Sequence, residues 1–387
     1  MTSNVSFETK ELKSILKTYG KFAAQNFRNS YPAVIVSPPV AEGQKTQLIL
    51  STDHAYVTSS PESQYTGDNP QAFAMNSDRL LQLTLSGKQT SLSWANERSP
   101  LQVKDGKISA SLNVAVVMPE FKHVPEHVDT VTIPTALLSS LQHYANVPFS
   151  YFSTSNKESN PVRLLRNQKG NLEVHADDSY SLIKLETDYP VSKEMGFKLA
   201  KYVFDALYEG REDEETQSII GNNGYTIYAA NHSIQSVVAG LNDDTSNFDS
   251  VFESVGNNWL TSCNFSPKQL LESIRPLVSV LPKKDTVGAI INMSFKGDRV
   301  VMSIKHKEVG EVLIENVDGV SNVYNEKSIR NVVLNLHPQA FLDYTTMLKD
   351  VEEAKMFANN QLVYYEASKT VLGHKILIKY LFPTVQV

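Results

Sequence analysis

The chain has 387 residues, 41% of them hydrophobic and 20% charged, with a net charge of −6. This balance excludes a disordered chain and supports packed cores in two or three domains. The single cysteine, Cys263, excludes an intrachain disulfide and argues against a zinc cage; no run of about 18 apolar residues offers a membrane helix, and the polar start lacks an apolar leader, so a cytoplasmic protein without metal or cofactor is the expectation.

In chain order, residues 5–21 read as a short apolar strand that runs into an amphipathic helix at Phe7-Glu8-Thr9. Strands are predicted at 33–37, 47–51 and 55–59, followed by a polar loop at 60–70. A second helix is predicted over 75–86 with Asn76 or Ser77 as its N-cap. Strands at 91–94, 101–104 and 108–117 follow, with Asp105-Gly106 as a hairpin turn, and 119–129 reads as a linker.

The same grammar then returns. Ile133-Pro134-Thr135 opens a strand and helix over 131–147, and Phe265-Ser266-Pro267 opens another over 264–281. The three starts lie 126 and 132 residues apart, dividing the chain into thirds at 1–127, 128–255 and 256–387. The middle third continues with strands at 163–167, 172–176 and 181–186, a helix over 196–208, and strands at 217–220, 225–229 and 233–241. Residues 242–261 read as a second linker. The last third continues with strands at 287–295, 299–304 and 311–316, a helix over 337–348 with Pro338 at N1, and strands at 355–357, 362–366 and 375–382. Each third is strand, helix, strands, twice over. The predicted fold is α+β, with three repeated domains of two helices on antiparallel sheets.

Charge is unequal among the copies. The first third carries 12 basic and 11 acidic groups, the middle 9 and 18, and the last 15 and 13. Net charge bears on solubility and steering, so the question for nucleic acid is whether cations share a face. Lys10, Lys13, Lys17 and Lys21 fall at steps of three, four and four, one stripe of the first helix, while Leu12, Ile15, Leu16 and Tyr19 take another face. Arg28 follows just beyond. Arg79, Lys198, Lys201, Lys268 and Arg275 lie on or beside other helices. A single such stripe also fits an ordinary solvated face. A repeated one suits loose, sequence-independent contact with duplex phosphates.

Three local segments carry a resemblance. Arg28-Asn29-Ser30-Tyr31-Pro32 follows the first helix, His175-Ala176-Asp177-Asp178-Ser179-Tyr180-Ser181-Leu182 lies in the middle third, and Tyr380-Leu381-Phe382-Pro383-Thr384-Val385 ends the last. With the three equal repeats, the chain resembles the bacterial DNA polymerase III beta sliding clamp. The first segment is similar to that family's Arg-plus-Pro entry into its second strand, and the last to its terminal Val-Met-Pro-Met stretch. The middle one stands where the family has Thr-Asp-Gly-His-Arg-Leu, but Asp178, Ser179 and Tyr180 replace Gly-His-Arg. The low similarity fits a divergent, phage-encoded member.

The resemblance implies a head-to-tail homodimer closing a ring around double-stranded DNA, twelve helices inside and sheets outside, that tethers a DNA polymerase and is placed by a clamp loader. It implies an interface with Ile108, Ala110 and Leu112 on one side and Val280 and Leu281 on the other. It also implies an apolar pocket for partner peptides at Ala176, Asp177, Leu182, Phe248, Leu381, Phe382, Pro383 and Thr384. An enzyme is the main alternative, with a structural β-rich repeat protein behind it. The sequence holds no Walker A loop, Gly-x-Gly-x-x-Gly, His-Glu-x-x-His or Gly-x-Ser-x-Gly. His54 beside Asp53, and His175 near Asp177, read as strand-end and turn residues.

Overall fold

Six times along the chain, one strand runs into a helix and three further strands follow. The computed structural model describes residues 2–385 apart from 24–32, 42–43, 52–54, 68–69, 84–85, 97–98, 117–128, 147–160, 178–180, 193, 212–216, 223–225, 231–233, 240–247, 257, 283–288, 298 and 327–330. The first half-unit is β1 (Ser3–Glu8), α1 (Thr9–Ala23), β2 (Ala33–Ser37), β3 (Gln47–Ser51) and β4 (Ala55–Ser59). The second is β6 (Phe73–Asn76), α2 (Ser77–Gln82), β7 (Gln89–Trp94), β8 (Leu101–Asp105) and β9 (Ile108–Leu112), with the short strands β5 (Ser63–Thr66) before it and β10 (Ala115–Val116) after it.

The third half-unit is β11 (Asp129–Pro134), α3 (Thr135–Tyr144), β12 (Pro161–Arg166), β13 (Asn171–Asp177) and β14 (Leu182–Pro190). The fourth is β15 (Gly196–Ala200), α4 (Lys201–Tyr208), β16 (Gln217–Asn222), β17 (Thr226–Ala230) and β18 (Gln235–Ala239). A helix outside the pattern, α5 (Phe248–Val255), precedes the fifth: β19 (Thr261–Phe265), α6 (Pro267–Ser279), β20 (Ile291–Lys296), β21 (Arg299–His306) and β22 (Gly310–Ile314). After β23 (Val320–Asn325), the sixth is β24 (Asn331–Leu336), α7 (Pro338–Met347), β25 (Ala354–Ala358), β26 (Leu362–Val371) and β27 (His374–Pro383).

The described strands form four antiparallel sheets. Two have nine strands, in the orders β10-β6-β2-β3-β4-β18-β17-β16-β11 and β15-β12-β13-β14-β27-β26-β25-β19-β23. Each joins two half-unit sets across one seam, β4 to β18 in the first and β14 to β27 in the second. The other two are single sets: five strands in the order β5-β1-β7-β8-β9, and four in the order β22-β21-β20-β24. The chain divides into two compact units, Met1–Leu138 with Leu199–Leu241, and Ser139–Lys198 with Asn242–Val387.

Elementary patterning explains the repeated elements. Val5 and Phe7 alternate inward along β1, and Leu12, Ile15, Leu16, Tyr19 and Phe22 bury the inner face of α1. At the start of α1 the Thr9 hydroxyl meets the Thr90 hydroxyl on β7 at 2.9 Å, and in the next third Thr135 meets Ser218 on β16 at 2.7 Å. The first of these pairs surrounds a buried carboxylate. Asp105 accepts from the Thr9 hydroxyl at 2.9 Å, the Thr90 hydroxyl at 2.6 Å, the Ser86 amide at 2.8 Å and the Gly87 amide.

Burial acts to raise the Asp105 pKa, but the hydrogen bonds from Thr90, Gly87, Ser86 and Thr9 outweigh it and hold the carboxyl below its ordinary 3.8. A folded-state pKa that is depressed adds stability above the unfolded value, and that stability is lost as pH falls through the folded one. Asp105→Asn is therefore expected to lower stability by roughly 1–3 kcal/mol at pH 7. Denaturant titrations of both proteins should converge as the pH drops below 3.8; a gap that stays constant with pH would contradict this role.

Several sequence expectations change. Residues 196–200 form a strand, because Phe197 and Leu199 bury alternately at period two; the helix starts at Lys201. The helix expected over 75–86 is the shorter α2: Met75 belongs to β6, and Asn76 caps the turn by accepting from the Arg79 amide at 3.1 Å. The strand expected over 108–117 is broken into β9 and β10, which join different sheets. The loop at 60–70 contains β5, paired along the edge of β1. Strands β23 and β24 were not anticipated. Nor was α5, which lies inside the expected second linker and places Phe248, Val251, Phe252 and Val255 at helical spacing.

Candidate functional site

The α1 stripe forms as its spacing requires. Lys10 and Lys17 are exposed and Lys13 and Lys21 half-buried, opposite a face whose apolar residues are at most 1% exposed. The C-terminal end of the stripe is already neutralised. Lys21 pairs with Glu209, just past α4, and Phe22 packs edge-on against Tyr202 of that helix at 5.9 Å. Burial and the neighbouring cations Lys201 and Arg211 push the Lys21 amine below its ordinary value, with Asp205 acting the other way. Lys201 pairs with Asp205 one turn along α4 at 2.5 Å. Lys10 and Lys17 are therefore the exposed cations of this face.

Arg79 is exposed on α2. Lys198 is half-buried on β15, off any helix, which corrects its expected helical place. On α6, Lys268 and Arg275 share the exposed face, with Glu272 between them and Leu270, Leu271, Ile274 and Leu277 packed beneath. Arg28 lies outside the described residues.

Among the described residues, the two single-set sheets end in open edges at β9 and β22. On β9, Ile108, Ala110 and Leu112 are half-buried, although their cross-strand partners Asp105, Val103 and Leu101 are fully buried. On β22, Val312 and Ile314 are half-buried, while their partners Ile304 and Met302 are at most 1% exposed. Among the described residues no strand lies beyond either of these two edges. Where such a strand exists, at the seam of β14 with β27, Ile183, Leu185, Ile378 and Tyr380 are at most 1% exposed. Leu313 on β22 is 53% exposed. Of the residues expected opposite β9, Val280 caps α6 and is 37% exposed, while Leu281 is buried.

The residues expected to form a peptide pocket divide. Ala176, Leu381, Phe382 and Thr384 are buried, and Pro383 is half-buried. Phe382 stacks on Tyr344 of α7 at 4.4 Å and meets Tyr365 edge-on at 5.2 Å, as a core residue does. Asp177 accepts a hydrogen bond from Arg163 at 3.1 Å. Leu182 is half-buried at the end of β14, directly across from Leu381. The backbone of Phe248 begins α5, and its side chain is not among those described.

Leu381, one of the residues expected at a pocket, lines a cleft of about 400 Å³ whose other lining residues were not expected from the sequence. Phe252, Val255 and Trp259 line one side and Phe357, Tyr364 and Leu381 the other. Its floor is an ion ladder over adjacent strands. Lys184 lies 3.4 Å from Glu173 and 3.3 Å from Glu186, and Lys379 lies 2.6 Å from Glu186. His175 extends the ladder to Glu173 at 2.5 Å. Thus His175 and Asp177 hold separate structural partners, as the strand reading expected, while Asp53 and His54 lie outside the described residues. Among the described residues no cluster of three His, Cys, Asp or Glu is placed to hold a metal, and no helix is long and apolar enough to cross a membrane.

No protein-family model and no curated protein matches the chain. Solved structures do match it. The DNA polymerase sliding clamp of Bacillus subtilis superposes with a TM-score of 0.76 at 14% identity, covering 100% of both chains. The DNA polymerase III beta subunit of Thermotoga maritima gives 0.75 at 16%, again over 100% of both. The beta chain from Streptococcus pneumoniae gives 0.74 at 14% with the same coverage. At such identities the likeness is one of fold, and end to end this chain has the fold of the DNA polymerase III beta subunit, the sliding clamp.

Proposed function

We propose that the protein is a DNA sliding clamp, a ring that encircles duplex DNA and tethers a replicative polymerase without catalysing a reaction itself. The observation that carries this reading is the arithmetic of the sheets. Two seams close within the chain, each uniting a five-strand and a four-strand set. One five-strand set and one four-strand set remain, with half-covered core residues along β9 and β22. By the pattern of the closed seams, β9 is the counterpart of β18 and β22 that of β4: each is the last of three strands after a helix. Joining β9 of one copy to β22 of another completes a third nine-strand sheet and propagates head to tail until the assembly closes.

Two copies supply the homodimer ring, with the thirds 1–127, 128–255 and 256–387 as its repeated domains. The interface then adds Val312, Leu313 and Ile314 to Ile108, Ala110 and Leu112, with Val280 at the C-terminal cap of α6 in the same half-unit as β22. A closed ring retains DNA by topology, so weak, patchy phosphate contacts suffice, and Lys10, Lys13 and Lys17 are the principal ones on α1. Polymerase and clamp loader are the partners of such a ring, in the cytoplasm.

The first test is mass in solution, expected near twice the 43.1 kDa of one chain. A second concerns the stripe. Lys13→Glu with Lys17→Glu is expected to weaken DNA association at least tenfold at low salt and to flatten its salt dependence. The dimer should persist, because these side chains belong to α1 and not to the β9 and β22 edges. Sedimentation and DNA binding of the same preparation read both outcomes, and loss of the dimer would show that the face has another role.

A further inference from the structure

The end of the α1 stripe is in a different state from its start. Lys10 and Lys17 are exposed and take no ion pair among the described residues. Lys21 is half-buried where α1 meets α4, its neighbour Phe22 lies edge-on to Tyr202, and its amine pairs with Glu209. Burial, Lys201 and Arg211 push that amine below its ordinary pKa, and Asp205 acts the other way. Three cations and two carboxylates thus share one small surface within a single compact unit.

Glu209 stands where its own helix disfavours it. It is the C-cap of α4, where unsatisfied carbonyls leave a partial negative charge, and the last turn of α4 holds no cation to offset it. Gly210 follows at φ +69, the left-handed conformation that commonly ends a helix, and Arg211 comes next. The carboxylate is therefore stabilised by the cations around it and not by α4. Gathered ammonium and guanidinium groups repel unless an anion lies among them, and phosphate is the other anion they accept with charge-assisted bonds. An ion pair whose side chains stay 41% and 56% exposed is weak enough for another anion to displace.

We propose that Glu209 is a built-in competitor for DNA phosphate: in the free protein its carboxylate fills the cluster of Lys21, Lys201 and Arg211, and a duplex phosphate takes its place on contact. The identity of the incoming anion rests on the clamp reading; the occupied cluster does not. The counterion that a phosphate releases here is balanced by the one the freed carboxylate gathers, so this end of the stripe adds little to affinity or to its salt dependence. Such an arrangement touches passing phosphates without holding them, as sliding requires.

Equilibrium binding of a short fluorescent duplex to the full chain, over a series of salt concentrations, tests this. Glu209→Gln is expected to tighten binding roughly threefold or more at low salt and to steepen the logarithmic salt slope by about one, the share of one additional phosphate contact. Lys21→Gln should then weaken binding roughly threefold more in the Glu209→Gln protein than in the parent. That non-additivity separates local competition from a general field: loss of a negative charge that acts only at long range would tighten binding equally with or without Lys21. Melting curves confirm that the variants fold. Unchanged binding of Glu209→Gln, or additive effects of the two substitutions, would overturn the proposal. Retention on circular DNA, measured on the same preparations, separates the outcomes. A retained protein with additive effects sinks this inference alone. The predicted non-additivity in a protein that never stays on circles keeps the competitor and loses the clamp.

Discussion

Leu112→Asp on β9 is expected to convert the dimer into a monomer that keeps its fold. The Leu112 side chain is half-buried at an open edge, so the monomer can hydrate a carboxylate there, whereas a joined seam would bury it. An unpaired buried charge costs several kcal/mol, and about 4 kcal/mol at each of two identical seams raises the dissociation constant far beyond a thousandfold. Val312→Lys on β22 should do the same from the other side. Mixing the two monomers then provides a stringent outcome. A head-to-tail pair places the substituted β9 of one protomer and the substituted β22 of the other in a single seam, where the new carboxylate and amine compensate each other. The second seam keeps two native edges, so sedimentation of the mixture should show the dimer again. An interface built from the same patch twice would give no such rescue, and failure of mixing would reject the proposed closure.

Phe382→Ala is expected to be the most destabilising single change in the second unit, by about 3–5 kcal/mol. The ring is 2% exposed and packs on Tyr344 and Tyr365. Its strand also anchors β26 and β14, and the neighbouring Tyr380 hydroxyl donates to the Tyr144 carbonyl at 3.1 Å. Chemical denaturation measures the loss. A near-neutral Phe382→Ala that abolishes peptide binding would instead restore Phe382 to the pocket in which its sequence neighbourhood had placed it.

Local pattern carried much of this fold. The strands at 33–37, 47–51 and 55–59 were legible to the residue because short apolar runs there sit between polar breaks. The α1 faces were legible because a period of 3.6 is visible over fifteen residues. Two local signals are masked by the residues around them. Phe248, Val251, Phe252 and Val255 carry helical spacing, but the Asn- and Asp-rich surroundings hid it, and an eight-residue helix depends on packing more than on propensity. Phe197 and Leu199 alternate as a strand does, but they run straight into the helical pattern of Val203, Phe204 and Leu207.

Other features were not local at all. Nothing in Ser236 or Val57 announces that their strands join distant half-units. Nothing in Glu311 or Ser109 says that β22 and β9 have only one neighbour each among the described strands; edge status is a property of the sheet, and polar residues also occur inside one. The cleft is hidden for the same reason. Its charged floor reads in sequence as the solvated face of strands, and only the pairing of β14 with β27 sets Lys184 opposite Lys379 with Glu186 between the two amines. The expected pocket residues divide for another reason: alternation places Phe382 on the core face, while Leu381, one residue before it, lines the cleft.

Topology is the central claim, and one measurement addresses it most directly. The protein is loaded onto a closed circular duplex by a clamp loader, the free protein is removed, and the bound fraction is followed before and after a single restriction cut. Slow loss from the intact circle and rapid loss from the linear product, at unchanged salt, is the predicted result. Equal rates of loss from circle and linear DNA would contradict an encircling ring.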